Sequence, residues 1–404
     1  MDTITHGIAG ALISKACFRG EDLVAIKPMN RARIVTWSLM LGAIFPDSDV
    51  FRDIFSHDSL LMITWHRSIT HSLVLLPVWA LSLAALTRWI VRWRKWSAPS
   101  FFALFGIYAL GILSHIFLDL VTTFGTMIWS PFSRSRPAWD LLFIVDFTFA
   151  GILLLPQFLA WINLDPARSK RRALLIWVLF ISAPLLIAGI ARNVGAPISA
   201  NAILAAALIL TLLILLPAYS RLGSRVGYAA WNRAGLTAAF IYLLCTAFAH
   251  HAALARVRSL VALEGITAQS VAALPLPPSL WQWDGLVLTS RGVYEMRMDL
   301  TQKSGLADDP ATGPSGDPPI QYHYYPDSPS NPYIEAARRL PQVQDVLWFD
   351  RFPVTRFHKE GSEAVVEILD LRFARMSSDR PSAFTYRIRF SSDGQVLSQG
   401  WVRE

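Results

Sequence analysis

FFALFGIYALGILSHIFLDLV, residues 101–121, is the stretch whose reading decides the fold. It has no lysine, arginine or glutamate, and its only imidazole and carboxylate are His115 and Asp119. A helix of that length measures about 30 Å, the thickness of a bilayer's hydrocarbon core. Comparable runs lie at about 69–91, 141–162, 173–194 and 198–217, and a further one, 234–254, ends in His250-His251. Two shorter apolar runs, 4–18 and 34–45, come first. Alone they cross poorly, and they read as half-helices, tilted helices with polar ends, or a hairpin dipping into the bilayer.

Composition agrees with a membrane class. The 404 residues are 53% hydrophobic and 16% charged, with a mean hydropathy of +0.39. A soluble domain has about 25% charged residues. The net charge of +8 would suit nucleic acid, but the basic residues sit in short clusters between apolar runs, which excludes a nucleic-acid groove and suits membrane loops. Cys17 and Cys245 are far apart in apolar stretches, so they give neither a disulfide framework nor a thiolate metal motif, and are expected to be buried thiols. The start, Met1-Asp2 with His6 soon after, lacks the basic n-region and clean apolar core of a cleavable signal.

Lysine and arginine give the orientation. Rich segments are 15–33, with Lys15, Arg19, Lys27, Arg31 and Arg33; 88–95, with Arg88, Arg92, Arg94 and Lys95; 168–172, with Arg168, Lys170, Arg171 and Arg172; and 221–233, with Arg221, Arg225 and Arg233. They alternate with poorer ones at 46–68, 122–140 and 192–200. Basic loops face the cytoplasm. The ends after Asp47, Asp119 and Arg192, and everything beyond 254, then face the other side, the periplasm in a Gram-negative cell.

Beyond about 255 the apolar runs shorten and alternate with polar residues, as in 285–290, 292–298 and 383–390, which predicts β-strands. The Pro-, Gly-, Asp- and Ser-rich 303–332 reads as a long loop and 333–340 as a short helix. The expected fold is a polytopic α-helical membrane protein with a C-terminal, mainly β extramembrane domain. Its divisions are 1–160, 161–254 with additional helices, and a tethered domain at 255–404.

The polar residues inside this apolar chain carry the functional argument, because ionisable side chains at membrane depth usually have a task and a partner. His115 and Asp119, at i and i+4, project from one helix face and can grip one ion; a metal-free His–Asp pair is the alternative. His66 and His71 flank Arg67, with His66 just before a helix and His71 in its first turn, capped by Ser68 or Thr70. Arg67 can bind an anion such as phosphate bidentately, or snorkel to the interface. Pro46 stops a helix, leaving Asp47 and Asp49 as ligands, a general base, or ordinary turn residues. Asp146 is a candidate one and a half turns into its segment; Trp139 and Asp140 read as interfacial, as does His250-His251. Under this topology His6, Asp47, Asp49, His66, His71 and Asp119 share one membrane depth and side, with His115 one turn deeper. In the C-terminal region, 322–326 could line a surface for sugar or lipid, although aromatic packing in a β-core is the plainer reading.

The blocks Thr5-His6-Gly7, residues 41–49, residues 66–72, and residues 113–119 followed by 122–125 and 129–132 resemble the YdjM-type family over about residues 1–160. That family is described as LexA-regulated, inner-membrane metal-dependent hydrolases. The resemblance implies a metal site formed by the matching polar positions, His6, Asp47, His66, His71, His115 and Asp119, with Asp146 a further candidate, and it supplies no substrate. The helical His/Asp arrangement is more distantly similar to zinc-dependent phospholipase C and the S1/P1-type nucleases, from which this chain departs by lacking their N-terminal tryptophan.

The resulting expectation is a bacterial inner-membrane, metal-dependent hydrolase with its site at the periplasmic interface. Zinc is the first choice and manganese the alternative. Asp47, Asp49 and Arg67 would be its catalytic residues and a phospholipid or lipid-linked phosphoester its substrate. The competing reading is a non-enzymatic metal-binding membrane protein or a transporter; a transporter would more readily show inverted repeats around the midplane.

Overall fold

A computed structural model of the chain describes residues 1–18, 31–52, 56, 58–193, 200–220, 222–277, 279–301, 322–373 and 384–402. Arg19, Lys27, Arg221 and most of the predicted 303–332 loop lie outside the described residues.

Eight helices precede the β region among the described residues: α1 (Thr3–Cys17), α2 (Arg31–Ile44), α3 (Leu76–Arg94), α4 (Phe101–Leu120), α5 (Phe147–Asn163), α6 (Ser169–Asn193), α7 (Ala200–Tyr219) and α8 (Tyr228–Leu263). A 3-10 turn, Phe45–Val50, follows α2, and a helical turn at Leu61–Thr64 and a 3-10 turn at Ile69–His71 precede α3. Helices α4, α6, α7 and α8 are long and apolar enough to cross a membrane, and the bent unit Leu61–His71 plus Leu76–Arg94, turned by 71°, makes a fifth. The expected 141–162 span is shorter than its apolar run. Asp146 accepts a hydrogen bond from the Phe149 N–H and starts α5 there, while Leu142 bridges to Thr122 instead of joining the helix.

The two short N-terminal helices form the centre of the bundle. A Cβ on Gly111 of α4 would stand 2.7 Å from the Leu39 carbonyl of α2, and one on Gly10 of α1 would stand 3.0 Å from the same oxygen. These glycines let three helix backbones touch, the packing that works where lipid gives no hydrophobic drive between helices. The contact brings the ends of α1, α2 and α4 to one place. Cys17 and Cys245, expected to be buried, are exposed on α1 and α8, where an apolar thiol can face lipid.

Helix α8 does not stop at the predicted boundary of 254. Its 36 residues reach about 54 Å, well beyond a hydrocarbon core. No Gly or Pro interrupts 252–263, and its end packs Ala253, Val257 and Leu260 on Ala273, Trp283, Val287 and Met296. The β domain therefore continues the helix rather than hanging from a tether.

That domain has two four-stranded antiparallel meanders. The first holds β1 (Ser270–Leu276), β2 (Gln282–Thr289), β3 (Gly292–Asp299) and β4 (Tyr322–Pro326); the second holds β5 (Pro353–Glu360), β6 (Glu363–Asp370), β7 (Thr385–Phe390) and β8 (Val396–Trp401). Helices α9 (Pro332–Arg338) and α10 (Pro341–Phe349) connect them. Leu274, Leu286 and Val293 meet Phe352, Val354 and Leu369 between the sheets. In β4, Tyr324 packs on Tyr294 and His323 on Tyr325. A second core joins the domain to the helical region: Leu60, Ile63 and Phe124 share it with Val343, Val346, Phe349 and Phe390.

Candidate metal centre

The site forms where three chain ends meet. Pro46 stands at the start of the 3-10 turn that closes α2, and this turn presents Asp47 and Asp49. Helix α4 supplies His115 and Asp119 one turn apart, near its C-terminal end. His71 closes the second 3-10 turn. It is not in the first turn of a helix, as predicted, because α3 begins only at Leu76. Before it, the Ser72 hydroxyl accepts from the Val74 and Leu75 amides, and neither Ser68 nor Thr70 caps a helix.

One ligand atom from each of Asp47, His71, His115 and Asp119 falls within 4.8 Å of all the others. His71 Nε2 and His115 Nε2 are 3.0 Å apart. Asp119 Oδ2 lies 3.2 Å from His71 Nε2 and 3.4 Å from His115 Nε2. Asp47 Oδ1 lies 3.7 Å and 3.4 Å from the same two nitrogens. A tetrahedron with metal–ligand bonds of about 2.0–2.1 Å has edges of about 3.3–3.4 Å. The five separations given are near those edges, so the four donors could hold a metal ion.

Hydrogen bonds behind the imidazoles give the same answer. His115 Nδ1 is 2.6 Å from the Ala43 carbonyl, which can only accept, so Nδ1 carries the proton. His71 Nδ1 faces the Thr70 hydroxyl at 3.1 Å and the Asp49 carboxylate at 3.5 Å, which assigns its proton likewise. Both Nε2 atoms then offer bare lone pairs to each other at 3.0 Å, and Asp119 Oδ2 beside them is buried without a donor. Three acceptors converging at a buried point repel unless a cation, a metal ion or a proton, stands among them. Outer partners of this kind fix ligand tautomers in metal proteins.

Asp49 stands behind the cluster. Its Oδ1 meets His66 Nδ1 at 3.0 Å, and its Oδ2 accepts from the Arg67 amide at 3.0 Å and the Thr70 hydroxyl at 3.2 Å. Asp47 also accepts from the Thr3 hydroxyl at 2.6 Å. For the Asp49 carboxyl burial opposes ionisation, and the hydrogen bond from His66, with that from the Arg67 amide, outweighs it and holds the group below the usual carboxylate range.

His6 stacks on His115 with ring centroids 3.6 Å apart, and its Nε2 is 3.3 Å from Asp119 Oδ1. That same oxygen receives Arg67 Nη2 at 2.9 Å and lies beside the Met1 amino nitrogen. Arg67 is 4% exposed, donates through Nη1 to Thr122 at 3.0 Å, and sits at φ 60°. His66 is the rim residue, its side chain 18% exposed. Asp146 is elsewhere, capping α5 and accepting from Tyr242 and Ser279 at 2.9 and 2.6 Å. Asp140 and His250 also lie outside the four-donor group; Asp140 binds Arg351, and His250 packs near Trp283.

Several contributors gave no signal in the sequence. The Ala43 carbonyl is open to His115 because the helix tightens at Pro46, leaving the last carbonyls of α2 without their usual donors. Thr3 is a single hydroxyl in an ordinary context, and Thr70, expected as a helix cap, instead bridges Asp49 and His71. Arg136 is buried among backbone carbonyls, donating to those of Ile63, His66 and Gly125. Burial, reinforced by the charges of Arg67 and Arg372, pushes its guanidinium down to about 9.

No curated protein and no solved structure matches this chain. Residues 1–195 match the family model described as YdjM inner membrane protein. This segment, just under half of the 404 residues, is similar to that family and contains all four donors.

Proposed function

We propose that the protein is a divalent-metal-dependent hydrolase of the bacterial inner membrane that acts on an anionic phospholipid or lipid-linked phosphoester at the periplasmic interface. The observation that carries this reading is the convergence of two imidazole nitrogens and two carboxylate oxygens within 4.8 Å of one another. Asp47, His71, His115 and Asp119 would hold the ion; two imidazoles and two carboxylates suit zinc first and manganese second. When bound, such an ion polarises a phosphoryl oxygen and makes water acidic enough to attack.

Charge supports an anionic substrate. Arg67 and the Met1 amino group stand against Asp119 and Arg136 lies behind His66, so with a divalent ion in place the site's surroundings offer positive charge to an anionic group. Arg67 orients the headgroup, and Asp49 holds His71 in its tautomer while standing near enough to relay a proton through Thr70. Position supports a lipid. Asp119 is about 27 Å along α4 from Phe101, on the far side of a hydrocarbon core from the basic segment 88–95. Trp129, Phe132 and Trp139 are exposed in the segment that follows, as in an interfacial aromatic belt.

Phosphate release from total bacterial lipid extract, with the detergent-purified full chain, tests this. Turnover that a chelator abolishes and Arg67→Gln lowers is the expected result; no loss of any lipid phosphate refutes the hydrolase. One observation favours a second reading, a non-enzymatic ion site. His71, His115 and Asp119 are fully buried, and of the four donors Asp47 alone has an exposed fraction, 8% of its side chain. Ion bound without turnover, and lost only on unfolding, would select it.

A further inference from the structure

Phe124 is the hinge point between the metal centre and the β domain. It is 5% exposed. On one side its ring lies 5.0 Å from the Arg67 guanidinium carbon and 5.8 Å from the His66 ring. On the other it meets three rings of the β domain, Phe349 at 5.1 Å, Phe373 at 6.1 Å and Phe384 at 6.4 Å. The next residue back is held as well. Arg372 Nη1 donates to the Thr123 carbonyl at 3.1 Å, while its Nη2 holds the Phe349 carbonyl at 2.7 Å and its Nε holds Asp370 at 2.7 Å.

The segment held this way is the one that holds Arg67. Thr122 accepts from Arg67 Nη1, the Phe124 ring lies beside its guanidinium, and the Met127 amide donates to the Arg67 carbonyl at 2.8 Å. Arg67 needs such support because φ 60° is a conformation that a long side chain adopts at a cost. Backbone of that kind persists where its surroundings over-determine it. The docking is broad. Arg351 grips Asp140 through two hydrogen bonds of 2.9 and 2.8 Å, Arg134 pairs with Asp345 at 2.7 Å, and Trp401 donates to the Ser59 carbonyl at 2.7 Å.

We propose that the C-terminal β domain is a working part of the metal centre: through Arg372 and the aromatic cage around Phe124 it positions Arg67 against Asp119. Phe124, Arg372, Phe373 and Phe384 are positioning residues; none of them touches the four donors. The inference deepens the proposed function by saying how its anion-orienting arm is held, and it rests on that reading only for the arm's task.

Hydrogen exchange of the full-length protein in detergent tests it, comparing wild type with Phe384→Ala and Phe384→Leu. Loss of one aromatic contact from the cage should speed exchange of the Arg67 and Met127 amides by roughly tenfold. The leucine variant should recover part of that protection, and peptides in α6 and α7 should exchange as in wild type. If exchange rises within the β domain and at 122–128 while the Arg67 amide keeps its protection, the cage is structural only and the proposal fails. The measurement needs neither bound ion nor turnover. A protein that proves metal-free would overturn the hydrolase while this result still stood or fell by itself.

Discussion

Asp284 and Glu295 offer a test of the β domain with a defined sign. They lie on adjacent antiparallel strands, two register positions apart, where Leu286 faces Glu295 and Asp284 faces Arg297. Both are buried, and Asp284 Oδ1 and Glu295 Oε1 have no donor; the Tyr325 hydroxyl satisfies only Glu295 Oε2, at 2.8 Å. Burial, then the charge of Glu295, holds the Asp284 carboxyl well above its ordinary range. The folded domain therefore keeps a proton that the unfolded chain releases near pH 4. Stability falls as pH rises from there toward the folded value, by about 1.4 kcal/mol per pH unit for one proton. Asp284→Asn removes that slope and retains an N–H that can donate to Glu295. The variant should match wild type near pH 4 and gain on it steadily toward neutrality. Thermal unfolding of both proteins in detergent at half-unit pH steps reads the difference. Parallel curves, or a variant that loses ground as pH rises, would refute a proton shared between the two carboxyls.

Other outcomes follow from packing and the site. Gly111→Ala should cost about 1–3 kcal/mol or more, because its Cβ meets the Leu39 carbonyl, which cannot move as a side chain can; Gly106→Ala, with open space around it, should be neutral or slightly stabilising in the same thermal assay. Asp49→Asn should weaken metal affinity about 10–100-fold by releasing the His71 ring, and titration with Co²⁺ should show a smaller loss for His66→Ala at the rim. Arg351→Ala leaves the Asp140 carboxylate buried without its partner, at a cost of about 1–3 kcal/mol, and limited proteolysis should then cut the boundary between helices and β domain faster than in wild type.

The membrane helices and the donors were legible because each follows a local rule. Residues 101–121 show length and apolarity without a break, His115 and Asp119 show helical spacing, and Pro46 marks the helix end that carries Asp47. The misplacements also have local causes. Asp146 ahead of an apolar run has the pattern of a helix cap, yet the run at 141–145 looked continuous with the helix beyond it. The turn around Ser72 delayed α3 and set His71 in a 3-10 turn, where its ring turns toward Asp119. The docking of the β domain left no trace in the sequence. Arg351 and Asp140 are 211 positions apart, and Arg372 reaches a backbone carbonyl that any residue would offer.

The central claim is that Asp47, His71, His115 and Asp119 hold a divalent ion. Elemental analysis of the detergent-purified full chain, beside a His71→Ala, Asp119→Ala double variant of matched helicity, tests it directly. About one equivalent of zinc or manganese in the wild type and almost none in the variant is the predicted result. Equal and negligible metal in both, or equal metal in both, would contradict it.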